Sequence, residues 1–416
     1  MRILLLALLL IPTMGIANTI SVVHSNYSQS EAKAYSILQN SLAEDNLIWV
    51  DQLPVNQGFP SADQVKSIVE QNPSQASMAQ IHGKELERWY DLGVVRHLTT
   101  VAESNRWRDL LPEFIYKKIQ HRGQIIAVPS GLHITNTLWA NKKIIDNTGL
   151  SLDSSWDNFL NLLAKIEETG ITPIVMIDNV QFDTLLFESL LLSEVGAEAY
   201  NASMLDLDST ALRAIEPAFE RVFQKLDALK PFISRLPEDT NIVTVVEAIV
   251  SGQAAITLQG SWIQGEFTFK GLLANQQYYC AQVPGQHEGV IFMLDTFAAL
   301  STSDIAAQQK QAIFANKVLD KNNQFLMNNY SGAHAVVPDT GLEKLNECNA
   351  AANNRLTEAT ATKQIVGSTA MGMNLPVQIG DEVLEIIHTF MTTNASAADT
   401  ASHLRKRMKY GSFLIN

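Results

Sequence analysis

The stretch GQAAITLQGSW, residues 252–262, ends an apolar run on Gly260, Ser261 and an indole. Residues 254–258 read as a short strand with a glycine turn after it. A tryptophan just past such a turn either plugs the core beneath it or offers a wide, rigid ring face to a ligand. The local pattern weighs the two evenly. Glu31 and Asp295 form the one carboxylate pair that could be read as a glycosidase, which would need them ~5 to ~9.5 Å apart with one pKa raised. No second signal supports a reaction. The chain holds no Gly-x-Ser-x-Gly, no His-Glu-x-x-His, no P-loop and no Cys–His arrangement, and its nine histidines lack metal-ligand spacing. The expectation is a protein that is not an enzyme, with no catalytic residue, metal or cofactor.

Composition narrows the partners. Lysine and arginine number 30 against 43 acidic residues, a net charge of −13. That disfavours nucleic acid and anionic lipid surfaces. Arg2, an unbroken apolar run over residues 3–11 and the small residues Gly15 and Ala17 read as a secretory signal peptide, residues 1–17, cleaved after Ala17. No later run approaches the ~18 apolar residues that a membrane helix needs. An exported, periplasmic chain without direct membrane insertion follows. In that oxidising compartment Cys280 and Cys348 read as a disulfide.

The elements that must position the indole are those of an α/β protein. Residues 19–24 form a strand, a polar loop follows, and Glu31 opens a helix through Glu44. A second strand over 47–53 and a helix capped by Ser61 complete a βαβ unit. In such sheets ligands sit at the carboxyl ends of strands, which puts the loop 25–31 at a ligand. Further on, 124–129 and 170–176 read as strands, and 211–228 and 241–250 as helices. Ser154 or Ser155 caps a helix opening at Trp156. A mature chain of roughly 400 residues exceeds one ordinary core, so two lobes joined by crossing strands are expected.

Three segments, AVPSGLHITNTLWANKKI, SWDNFLNLLAKIEETGITPIV and GQAAITLQGSWIQGEF, follow one another in an order and spacing that resembles the family 1 extracellular solute-binding proteins of ABC importers. These are the maltose-binding-like proteins, and the glucose/mannose-binding branch looks nearest. The likeness runs from about residue 20 to about 390. It implies a type II, Venus-flytrap fold of two α/β lobes, each a mostly parallel sheet flanked by helices. The first lobe would take 18–128 and 284–332, the second 129–283 and 333–416, with the ligand cleft between. It implies a monomer that binds a carbohydrate, closes on it and delivers it to ABC permease subunits. Presentation to a membrane sensor kinase, or binding of a polyol, are the alternatives.

By the same resemblance Trp262 stacks on the sugar, while Glu31 and Asp295 accept its hydroxyl protons. His82 stands in the branch's Gln-Ile-Lys-Gly segment, here Gln80-Ile81-His82-Gly83. Ser25 and Asn26 replace a Trp-Trp pair, and Tyr27 is the candidate substitute ring. The segment 329–334 lacks the branch's second lysine, and Met371 stands in place of its late histidine. The pocket is therefore expected to be remade for a carbohydrate other than glucose. His133 and Asn136 are expected to satisfy backbone groups at the crossover.

Overall fold

The computed structural model describes residues 18–25, 28–52, 61–152, 155–338, 340–341 and 345–415. The expected signal segment 1–17, Asn26, Tyr27 and Ser154 lie outside the described residues.

Two sheets organise the chain. In the first, Thr19–Val23 runs parallel to both Ile48–Gln52 and Ser77–Ile81. The helices Gln29–Glu44 and Ala62–Gln71 make the crossovers, so the amino-terminal βαβ pattern is as expected. The first helix starts at Gln29, two residues before its expected start. Ser28 Oγ accepts the Glu31 N–H at 3.1 Å and so places Glu31 in the first turn. Ser61 caps the second helix through the Gln64 N–H, and Ser155 caps the helix Trp156–Glu167 through the Asn158 N–H.

The second sheet runs in the order Tyr278–Ala281, Thr137–Asn141, Ala254–Gln259, Thr172–Ile177, Ile233–Leu236. Both sheets are mixed. Their antiparallel pairs involve the strands that pass between the sheets. Val128–Ile134 pairs antiparallel with Val290–Ala299 in the first sheet, then continues into Thr137–Asn141 of the second. The return path runs from Tyr278–Ala281 back into Val290–Ala299. Asn136 ties the two paths: its Nδ2 donates to the Gly289 carbonyl at 3.0 Å, and its Oδ1 accepts the Ile291 N–H at 3.1 Å. That residue satisfies backbone, as expected. The segment 333–416 does not stay with one sheet. Its strand Ile365–Gly367 pairs parallel with Val290–Ala299 in the first.

A helix without amphipathic periodicity, Val180–Met204, packs against the strands Ala254–Gln259 and Ile365–Gly367 and against the helices Ser209–Leu229 and Val377–Thr392. It is buried on nearly all sides, so no polar stripe marks it in the sequence. Gly196 breaks it with φ 74°. Among the described residues no helix is long and apolar enough to cross a membrane.

Cys280 and Cys348 form a disulfide, with Cα atoms 6.1 Å apart, that fastens the edge strand Tyr278–Ala281 to the helix Glu347–Ala361. It closes a loop of 68 residues. Chain-entropy arithmetic gives such a loop about 4 kcal/mol. Reduction, or Cys280→Ser with Cys348→Ser, is expected to lower the unfolding free energy by ~2–4 kcal/mol. Denaturant midpoints with and without reductant measure this, and an unchanged midpoint would remove the bridge from the account.

Candidate functional site

The strand Ala254–Gln259 ends where the first sheet's crossover strand leaves, and Ser261 N–H donates to the Ile134 carbonyl at 2.9 Å. Trp262 then opens the helix Trp262–Phe269. Its ring folds back over the turn: a Cβ on Gly260 would lie 2.2 Å from the indole. The indole Nε1 donates to Gln259 Oε1 at 3.2 Å, which fixes the ring plane. Trp262 is half-buried, and the imidazole of His133 meets it edge-on with centroids 5.6 Å apart.

His133 differs from expectation. It does not satisfy backbone with its side chain. Nδ1 lies 3.0 Å from Ser261 Oγ and Nε2 3.2 Å from Asp295 Oδ2. A carboxylate only accepts, so Nε2 carries a proton, and in the neutral ring Nδ1 accepts from the serine hydroxyl. One imidazole thus bridges the end of a second-sheet strand to a carboxylate on the first-sheet strand Val290–Ala299. The sequence signal was available in the alternation of the strand Val128–Ile134. A residue flanked by Leu132 and Ile134 on one face must point to the other.

Asp295 sits at an irregularity in the pairing between Val290–Ala299 and Val128–Ile134, where the register shifts between Asp295 and Thr296. Such a break re-aims a side chain. The Asp295 side chain is 14% exposed, and its Oδ1 is buried with no hydrogen-bond partner while Oδ2 is held by His133. His82 follows the strand Ser77–Ile81 and lies close enough to feel both Asp295 and His133. Burial holds its pKa below the ordinary histidine value, Asp295 pulls against that, and His133 adds to it. His82 is therefore a neutral ring that can donate or accept a hydrogen bond.

Close backbone approaches assemble the rest. A Cβ on Gly332 would lie 2.1 Å from the Ser261 carbonyl oxygen, and one on Gly265 2.2 Å from the Tyr330 carbonyl oxygen. The Tyr330 carbonyl also accepts from Ser30 Oγ, the residue before Glu31. The start of the first helix, the segment Tyr330–Gly332 and the Ser261–Trp262 turn therefore meet. Tyr330 lies in the segment where the resembling branch has a lysine, with Lys33 Nζ 5.9 Å from its ring centre. Met371 is buried in a loop whose Gly372 carbonyl accepts the Lys84 N–H at 2.8 Å, beside His82. Ser25 is buried, its Oγ donating to Gln80 Oε1 at 3.4 Å. Trp262, Asp295 and His82 thus gather around His133, and Glu31 lies in the first turn of the helix whose Ser30 reaches Tyr330. Asn26 and Tyr27, the other two expected ligand residues, lie outside the described residues.

A serine, a histidine and an aspartate in a row also describe a nucleophilic triad. Two features argue against that chemistry. Ser261 is 4% exposed, and its own N–H is engaged by Ile134, which leaves it neither open to attack nor able to stabilise an oxyanion. A cavity of about 320 Å³ lies elsewhere, lined in part by Leu132, Phe114, Asn328 and His334; Trp262 and Asp295 are not among its lining. A cluster with metal-like spacing, Asp178, Asp183 and His388, is occupied by Arg235, which bonds Asp178 Oδ1 and Asp183 Oδ1 at 2.8 Å each.

No family model matches the chain. Curated relatives match most of it. A "probable sugar-binding periplasmic protein" of Brucella melitensis biotype 1 is 25% identical over 389 residues, 92% of this chain and 90% of the relative. One of the same description from Mesorhizobium japonicum is 24% identical over 387 residues, 92% and 91% of the two chains. The "xylose/arabinose-binding protein XacG" of Haloferax volcanii is 25% identical over 307 residues, 71% of this chain and 64% of its own. Among solved structures, the raffinose complex of the binding protein RafE superposes with TM-score 0.72 at 16% identity, covering 95% of this chain and 99% of that one. The maltose-bound MalE3 of T. maritima gives 0.66 at 11% identity, covering 94% and 99%. The fold is therefore that of the maltose-binding-protein-like, two-lobe solute-binding proteins.

The two glycines at the turn predict different outcomes. In Gly260→Ala the collision is with a side chain that can swing away, so a modest destabilisation of ~1–3 kcal/mol and a shifted tryptophan emission are expected. In Gly332→Ala the collision is with backbone, at φ +76°, and a larger loss of stability follows. Equal effects in thermal unfolding and fluorescence would contradict this geometry.

Proposed function

We propose that this chain is the extracellular substrate-binding component of an ABC importer, that it takes a carbohydrate between its two lobes, and that it delivers the sugar to the permease. One observation carries the reading. The half-buried ring of Trp262, an unpartnered oxygen of Asp295 and the neutral imidazole of His82 converge where the two sheets exchange strands. A sugar ring presents C–H patches and hydroxyls together, so it needs an aromatic face and directed acceptors in one place. Asp295 Oδ1 accepts a hydroxyl proton there, a charge-assisted bond stronger than a neutral one. Sugar-binding names among the relatives support the same reading.

Binding is coupled to closure because the contacts come from both sides of the crossover. A ligand that touches Asp295 and Trp262 together favours the state in which the His133 bridge is made. Ser25 and Asn26 stand where the branch has its Trp-Trp pair, His82 where it has its first lysine and Met371 where it has its late histidine, and the segment 329–334 lacks its second lysine. We read the preferred ligand as a carbohydrate other than glucose. The chain acts as a monomeric receptor rather than an enzyme, and residues 1–17 act as its export signal.

Thermal unfolding of residues 18–416 with galactose, xylose, maltose and raffinose tests this. Ligand at a hundred times its dissociation constant should stabilise the protein by about 2.7 kcal/mol. Trp262→Ala is expected to weaken the binding sugar by ~2 kcal/mol, roughly thirtyfold, without release of reducing ends by either protein. No shift with any carbohydrate, or hydrolysis of an oligosaccharide, would overturn the proposal.

A further inference from the structure

Of the carboxylates on the long helix Val180–Met204 that nothing above uses, Glu188 is the buried one. Glu188 is fully buried, and every partner around it can donate. Ser368 Oγ lies 2.6 Å from its Oε1. The Thr369 N–H at 2.6 Å, the Ala370 N–H at 3.2 Å and the Tyr200 hydroxyl at 3.2 Å reach its Oε2. The Met371 N–H in turn bonds Ser368 Oγ at 3.1 Å. A carboxylate therefore sits at the centre of the turn 368–371, holding two of its backbone amides and its leading hydroxyl. A shell made only of donors suits the ionised form, which can only accept.

That turn reaches the candidate ligand site. It follows the strand Ile365–Gly367, and its Gly372 carbonyl accepts the Lys84 N–H at 2.8 Å. The contact is backbone to backbone, since a Cβ on Gly83 would lie 2.3 Å from the same oxygen. Gly83 directly follows His82. A displacement of the turn 368–372 therefore moves the His82–Gly83 corner, with no flexible side chain between to absorb it.

We propose that Glu188 is a positioning residue of the sugar site, holding the His82–Gly83 corner through the turn 368–372, so that protonation of this one carboxyl loosens the corner and weakens ligand binding as the medium acidifies. The inference rests on the sugar-binding reading above. An exported protein meets the pH of its surroundings, so the device would make uptake respond to acidity.

The charge state of Glu188 is poised for this. Burial raises its pKa to about 7, against the pull of Ser368, Ala370, Thr369 and Tyr200. The titratable group facing it is Tyr200 on its own helix, pushed well above its ordinary value by burial and by Glu188 itself. The turn 368–373 contributes only serine, threonine, alanine, methionine and glycine, and no charged side chain is among the groups acting on the carboxyl. A carboxyl whose pKa is raised on folding binds its proton more tightly in the native state. Its contribution to stability is full below the ordinary value of 4.5 and is lost as pH rises through about 7. Order in the turn runs the other way, because the ionised form accepts all four donors. Global stability and ligand affinity are therefore expected to move in opposite directions across this window, which a purely structural carboxyl would not cause.

Two measurements on the whole mature chain test the proposal. The first is amide exchange by mass spectrometry, corrected for intrinsic rates, in wild type, Glu188→Gln and the milder Ser368→Ala. At about pH 8, exchange in 82–86 and 367–373 should rise about tenfold in Glu188→Gln and less in Ser368→Ala, with the strand 254–259 unchanged. Unaltered exchange at 82–86 in both variants would overturn the strut. The second is titration with galactose, xylose, maltose and raffinose at about pH 8 and about pH 5.5. Wild type should lose about tenfold in affinity for its sugar on acidification, while Glu188→Gln should be weak at both. Equal pH dependence in the two proteins would overturn the switch. If wild type binds none of the four sugars, the sugar-binding reading fails, while the exchange result still decides whether Glu188 holds the corner.

Discussion

The imidazole of His133 is the constraint on which the site depends. It lies on the strand that leaves one sheet for the other, and its two nitrogens reach Ser261 at the end of a second-sheet strand and Asp295 on a first-sheet strand. A single planar ring of fixed width therefore sets the spacing between the indole turn and the carboxylate. It also holds Oδ2 of Asp295 and leaves Oδ1 without a partner. Because His133 is buried and both its nitrogens are engaged, neither partner can shift alone without exposing an unmet polar group at ~1–3 kcal/mol. The site is thus defined jointly by both sheets, and a ligand bound there reports on their relation.

Glycine supplies the second constraint. Three backbone segments approach more closely than any side chain allows: Gly332 on Ser261, Gly265 on the Tyr330 carbonyl, and Gly83 on Gly372. These contacts carry no specificity of their own. They fix the distances at which Glu31, Trp262, His82 and Met371 sit, and packing that tight transmits displacement instead of damping it. The disulfide acts farther away, fastening the edge strand of the second sheet to a helix that follows the crossing segment.

Much of this was legible in the sequence, for reasons that are local. Ser61 and Ser155 mark helix starts because a hydroxyl meets a free N–H there, and the first βαβ unit follows from alternating strands and helical spacing, although the Ser28 cap lay outside that expectation and the first helix begins two residues before its expected start. The indole after Gly260 could be singled out because a tryptophan just past a glycine turn either plugs the core or faces a ligand, while its fold back over Gly260 is a finding of the structure. What stayed hidden is non-local. His133 looked like a hinge polar group until the register with Val290–Ala299 set it against Asp295. Glu188 sits in a run of apolar residues with no helical period, and its partners in the turn 368–371 lie 180 residues away and more in sequence. The strand Ile365–Gly367 is three residues long, too short for any pattern.

The central claim is that a carbohydrate rests on Trp262 while bonding Asp295. The chain has six tryptophans, so the indole N–H spectrum of nitrogen-15 labelled protein is sparse enough to assign each signal by substitution. Titrated with galactose, xylose, maltose and raffinose, the Trp262 signal should shift with one of them. The signal of buried Trp139, whose indole donates to the Gln259 carbonyl, should hold still. In Asp295→Asn the same shift should require a markedly higher sugar concentration. A sugar that binds while the Trp262 signal stays fixed, or a Trp262 signal indifferent to every sugar, would contradict the account.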